Sequence, residues 1–192
     1  MRHGMVVGLA IVSAAFLCAS VAFFAASAPP RGHAADDAKA PKDSFDKNVI
    51  DIGVIVSNLE KAAAFYKNAL DFTELDGFAV PASMSKETGL TDGQAFKVRV
   101  FTAADKNKAT KIKLMEFPKA PPAKVDTTYI SSSLGFRYIT IFINDTTASL
   151  ARAKKAGATV IKEAYPLAGG EDYLSLVRDP DGNIIELIGP KL

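Results

Sequence analysis

The chain has 192 residues, 23 of them basic and 21 acidic, and carries a net charge of +2. That is enough for one domain of ordinary size and a short appendage. No basic run or patch stands out, so nucleic acid is not an expected partner.

Arg2 and His3 precede an uncharged apolar stretch over residues 5–28, which reads as a secretory signal. The stretch is longer than the usual signal core of roughly 7–15 residues and approaches the roughly 20 that span a bilayer. An uncleaved anchor is therefore the competing reading, and membrane contact is expected only in that case. Gly32-His33-Ala34 offers small residues where a signal peptidase reads, whereas Pro29 hinders cutting after Ala28. The expected division is a signal peptide over 1–34, a disordered tether over 35–47 and a domain over 48–192. The expected location is extracytoplasmic, either periplasmic or secreted. Cleavage after Ala34 removes Cys18, His3 and His33, and cleavage after Ala28 leaves His33 in a flexible tail; in both cases the folded domain has neither thiolate nucleophile nor imidazole. Losing Arg2 and Arg31 from 23 basic residues leaves 21 against 21 acidic ones.

Residues 49–57 alternate and are β-branched, predicting a strand. Ser57 and Glu60 form a Ser-x-x-Glu capping box, and Leu59, Ala62, Ala63, Tyr66 and Leu70 recur at helical spacing. Strand-like runs follow at 72–80, 95–102 and 111–117, with a polar segment over 81–94 that reads as a mobile loop. A Pro- and Ser-containing connector covers 118–134. The order then repeats. A strand is predicted at 136–143, and a helix capped by Asp145 stops at Gly157. Strands are predicted at 159–163, 173–178 and 183–188, the last two joined by an Asp179-Pro180-Asp181-Gly182 type I turn. Asp51 and Tyr138 occupy matching places in the two copies, 87 residues apart.

Asp51-Ile-Gly-Val-Ile-Val-Ser-Asn-Leu-Glu-Lys, followed by Ala64-Phe-Tyr-Lys-Asn-Ala-Leu-Asp-Phe72, resembles the opening of a vicinal-oxygen-chelate domain. The close is similar too: Gly169-Gly170, then Val177-Arg-Asp-Pro-Asp-Gly-Asn-Ile-Ile-Glu-Leu-Ile188. This family contains glyoxalases, bleomycin-resistance proteins and extradiol dioxygenases. The resemblance implies an α+β fold of two βαβββ modules, here 48–117 and 135–190, forming a curled mixed sheet around a shared cavity. Family enzymes hold a divalent metal with four side chains, typically a His on each module's first strand and a Glu later. Carried over by position, those places fall on Asp51, Lys113, Tyr138 and Glu186, and only Glu186 matches. A strand slip puts Glu116 in place of Lys113.

That departure matters chemically. Imidazole is a neutral donor to zinc, nickel or iron, while a lysine ammonium repels a cation. Asp51 and Glu186 alone offer a thin oxygen site suited to Mg²⁺ or Ca²⁺. No cofactor is expected on this reading, and any metal would rest on Asp51 and Glu186. The resemblance instead suggests that the Lys113 ammonium sits between Asp51 and Glu186, with the Tyr138 hydroxyl nearby. The corresponding function is binding of a small molecule in the cleft between modules; the alternative is a metal-dependent lyase or isomerase of the glyoxalase I type. Homodimers are common in the family, so a second copy is an expected partner. Each candidate also has an ordinary structural role: Lys113 as a snorkelling strand lysine, Tyr138 as packing at a rim, Asp51 and Glu186 as ion-pair members.

Overall fold

The structure is a computed structural model and describes residues 49–103, 105 and 108–192. The expected signal peptide and tether lie outside the described residues. Alternating apolar residues and two amphipathic helices build the same unit twice. The first module comprises β1 (Ile52–Ile55), α1 (Leu59–Asn68), β2 (Thr73–Val80), α2 (Ala82–Glu87), β3 (Phe96–Thr102) and β4 (Lys111–Met115). The second comprises β5 (Tyr138–Phe142), α3 (Thr146–Lys155), β6 (Thr159–Pro166), β7 (Asp172–Arg178) and β8 (Ile184–Pro190). Each module forms an open four-stranded mixed sheet, ordered β1-β4-β3-β2 and β5-β8-β7-β6. The β1–β4 and β5–β8 pairs are parallel and the rest antiparallel. The expected two-module α+β fold is the one observed, with β1 and β5 as sheet edges.

The local signals succeed where one residue dominates. Asp145 caps α3 by accepting from the Thr147 amide at 2.8 Å, and Gly157 takes the left-handed stop at φ 81°. The Gly182 amide closes the turn onto the Asp179 carbonyl at 3.0 Å. Two local expectations need correction. The α1 cap is Asn58, whose side chain accepts from Lys61 N at 2.8 Å, because the Ser57 amide is held elsewhere. Glu60 turns away to Arg99 at 2.8 Å instead of closing a capping box. The segment expected as a loop contains α2, pinned by buried Ser85. The Ser85 hydroxyl donates to the Gln94 carbonyl at 2.8 Å and accepts from Thr91 Oγ1 at 2.9 Å. Polar residues that look like loop composition are here bonded to one another.

One core serves both modules. Phe65 and Tyr66 of α1, Leu150 and Ala153 of α3, Phe101, Ile112 and Leu114 of the first sheet, and Val177, Ile185 and Leu187 of the second belong to a single apolar cluster. Side chains alternate along a strand, so the intervening residues point away from this core. Gly189 belongs to the same tight packing: a β-carbon there would lie 2.0 Å from the Ile143 carbonyl oxygen.

Candidate ligand site on the open sheet faces

Ile52 and Val54 pack against the shared core, which turns Asp51, Gly53 and Ile55 to the open face of the first sheet. On β4, buried Ile112 and Leu114 likewise turn Lys113 outward. Lys113 lies opposite Gly53 in register, and the Met115 methyl fills the space beside that glycine. The Lys113 Nζ stands 3.0 Å from Asp51 Oδ2, both side chains about a third exposed at 33% and 30%. The hydrogen bond from Lys113 is the main reason the Asp51 carboxyl is held below its usual range; desolvation opposes it, and charge from Lys113 and Lys111 adds to it. Val80, Val98 and Val100 form a small apolar cluster on this sheet, and Val100 is the β3 register partner of Lys113.

The second module repeats the logic with different chemistry. Ile139 and Ile141 pack on the core, so Tyr138, Thr140 and Phe142 face outward. Glu186 is the register partner of Thr140 and accepts from its hydroxyl at 2.6 Å. Tyr138 is half exposed on the same face. The four predicted positions are thus found as two local groups. Lys113 pairs with Asp51, and no ion pair within 4.0 Å joins it to Glu186 among the described residues. The expected ammonium between two carboxylates is therefore not formed within one chain, because each module's outward face carries its own polar pair. Glu116 does not replace Lys113: its Oε2 accepts from the Leu59 amide at 3.1 Å, at the start of α1.

These residues do not fit a resident metal within one chain. Asp51 is neutralised by an ammonium, and the Glu186 oxygen is held by a hydroxyl. Among the described residues no three His, Cys, Asp or Glu side chains gather to hold an ion.

Sequence reasoning missed Thr140, although it lies two residues beyond Tyr138 on the same alternating face. It also underrated the 179–183 turn, expected only as a connection. Both oxygens of Asp181 accept from the Ser57 amide at 3.2 Å, joining the modules across 124 residues. Asp179 is buried and accepts from the amides of Asp181 and Asn183 at 2.9 and 2.8 Å and from Asn183 Nδ2 at 2.8 Å. Burial pushes its carboxyl above the usual range despite those bonds. The connector is organised by Arg178, which donates to the carbonyls of Thr127, Thr128 and Gly182.

Among the described residues, three clefts touch both modules; one of about 290 Å³, between residues 70–72 and 141–152, lies away from the predicted residues, and the other two reach the edge strand β1. The larger of these two, about 430 Å³, is lined by Ile55, Ser57, Glu116 and Phe117, by the 121–125 strap and by Asp181. None of the four predicted residues lines it. The smaller, about 230 Å³, lies between β1 and β5 and includes Tyr138.

A profile of the Glyoxalase/Bleomycin resistance protein/Dioxygenase superfamily matches residues 49–187. The chain belongs to this superfamily. A probable lactoylglutathione lyase of Vibrio parahaemolyticus is 43% identical over 56 residues, 29% of this chain and 41% of that protein. This chain thus matches less than half the length of the Vibrio protein. A lactoylglutathione lyase of Neisseria meningitidis is 26% identical over 136 residues, 71% of this chain and 86% of that protein. Among solved structures, a glyoxalase family protein of Bacillus cereus superposes with a TM-score of 0.65 at 19% identity, covering 79% of this chain and all of that one. Glyoxalase I of Zea mays gives 0.56 at 18% identity, covering 73% of this chain and 43% of that one. At such identities the superpositions establish the superfamily fold.

Proposed function

We propose that this protein is an exported glyoxalase-like domain that binds a small oxygen-bearing molecule without a catalytic metal. The supporting observation is the Lys113–Asp51 pair at 3.0 Å, at positions that the resemblance aligns with metal-ligand places of family enzymes. An ammonium has three donors, and Asp51 takes one. The others can meet ligand oxygens above an apolar floor, giving the few oriented polar groups that a binding cleft needs. The role that a Lewis acid plays in family enzymes passes to a fixed organic cation, which binds oxygen without activating it strongly. The same reading includes a second copy. Ile55 at 48% exposed, Tyr138 at 51% and Phe142 at 79% leave large apolar side chains in water on both outward faces. A partner covering them sets the Asp51–Lys113 group of one copy towards the Tyr138–Glu186 group of the other.

The relatives named lactoylglutathione lyase favour a second reading, a metal-dependent lyase or isomerase with an atypical oxygen-rich site. Calorimetric titration of the purified protein with Zn²⁺, Ni²⁺, Mn²⁺, Mg²⁺ and Ca²⁺ decides between them. The expected result is no stoichiometric binding. Tight binding lost in Glu186→Ala overturns the metal-free reading and puts the lyase first.

A further inference from the structure

Tyr66 is unusual among the core residues. It is 2% exposed, and its ring is packed by Phe65, Phe72 and Phe101. A tyrosine hydroxyl in such a place normally finds a hydrogen-bond partner. The Tyr66 hydroxyl has none among the described residues, yet Tyr66 forms part of the wall of the 230 Å³ cleft between β1 and β5. The rest of that wall is mostly apolar: Ile52, Val54, Ile139 and Ile184, with fully exposed Phe136 at the mouth. Of the other polar side chains on this wall, half-exposed Tyr138 sits at the outer rim and two are engaged. Arg137 donates to the carbonyls of Asp126, Tyr129 and Ile130, and the Asn183 amide group is held by Asp179.

We infer that this seam is a second binding site, separate from the outward-facing Lys113 group, for a small neutral molecule carrying one hydrogen-bond acceptor. Volume sets the size. About 230 Å³ accommodates a single ring or short branched chain with one substituent and nothing the size of a nucleotide. The walls set the polarity, since burial of apolar surface supplies the driving force. Tyr66 sets the functional group: its hydroxyl has no protein partner among the described residues, is not sealed from solvent, and faces the cleft, where a carbonyl or ether oxygen can accept from it in place of water. The field sets the charge. Burial is the main reason the Tyr66 hydroxyl stays protonated far into alkaline solution, and the nearby Asp179 and Asp181 carboxylates reinforce it. Those same carboxylates oppose an anionic ligand.

Acetophenone is the probe, with ethylbenzene as the homologue lacking an acceptor and benzoate as the charged one. Binding to the purified protein is followed by titration of two-dimensional NMR spectra. Acetophenone should bind more tightly than either comparison compound. Tyr66→Phe, which keeps the ring, should weaken acetophenone by roughly five- to tenfold, the worth of one hydrogen bond, and leave ethylbenzene unchanged. Phe136→Ala removes a fully exposed wall residue without touching the core, and should weaken both neutral probes. Lys113→Met separates the sites: acetophenone affinity should survive it. Equal affinity of acetophenone for the parent and Tyr66→Phe, no binding at millimolar probe, or binding lost in Lys113→Met and kept in Tyr66→Phe each overturn the inference. The last outcome would place the ligand on the outward face instead.

Discussion

Replacing Lys113 by methionine keeps an apolar stem on β4 and removes only the charge. The structure sets the size of the effect. At 3.0 Å two unit charges attract by about 1.4 kcal/mol in bulk water, more at a lower effective dielectric. Both side chains are about a third exposed, so solvent screens the attraction and part of it is spent holding two flexible side chains. The expected loss of stability at neutral pH is therefore below ~1 kcal/mol. Its pH dependence is more diagnostic. Asp51 is depressed below the ordinary 3.8, chiefly by its hydrogen bond from Lys113. A depressed carboxyl contributes stability above its unfolded-state pKa and loses it as pH falls through the lower folded value. The difference between parent and Lys113→Met, read from urea unfolding at a series of pH values, should therefore shrink below about pH 4. In carbon NMR titrations the Asp51 carboxyl should move up towards its usual range and stay slightly depressed, because Lys111 still acts on it. An unmoved Asp51 titration refutes the pairing. A loss of roughly 3–5 kcal/mol, the cost of orphaning a buried charge, refutes the screened, surface character assigned to it.

Two further perturbations test the assembly. Asp181→Ala removes the acceptor that holds the Ser57 amide just before α1. Chemical denaturation should show a loss of about 1–2 kcal/mol, typical of a helix-start acceptor; a change under ~0.3 kcal/mol means the clasp contributes nothing. Sedimentation of the purified protein should show a dimer, and Phe142→Lys, placing a charge on the outward face of β5, should leave a monomer; a monomeric parent removes the paired-copy reading.

The central strands β3, β4, β7 and β8 were legible because buried residues recur along each and a period of two leaves little freedom. The choice between Lys113 and Glu116 stayed open to a strand slip in the sequence; buried Ile112 and Leu114 decide it for Lys113, and Glu116 turns to the Leu59 amide. Asp145 and Gly157 were legible because each acts within its own turn. Ser57 and Asn58 were not separable from sequence. Both are good caps, one residue apart, and the choice is made by Asp181 from the other end of the chain. Helix α2 was hidden for a related reason, its polar residues being read one at a time although they satisfy each other around Ser85. The arrangement of the four candidate positions was the least accessible. The resemblance placed them in one cavity, whereas the grouping depends on which faces the modules spend on their common core.

That expenditure shapes the chemistry. Both sheets turn their helix-covered faces inward to one cluster, so the polar groups of β1, β4, β5 and β8 stand on the outward faces. A carboxylate on such a face needs a partner, and each module supplies one from the adjoining strand, an ammonium in the first and a hydroxyl in the second. The two partners are not equivalent. Thr140 leaves the charge of Glu186 in place, whereas Lys113 cancels that of Asp51. Bringing the faces together would assemble two carboxylates and one fixed cation, a net charge of minus one. A divalent ion entering there has to displace or tolerate the ammonium, while a neutral or singly charged oxygen ligand can share it. On the proposed reading, this asymmetry adds to the lack of histidine in favouring molecules that accept hydrogen bonds over metals that require free carboxylates.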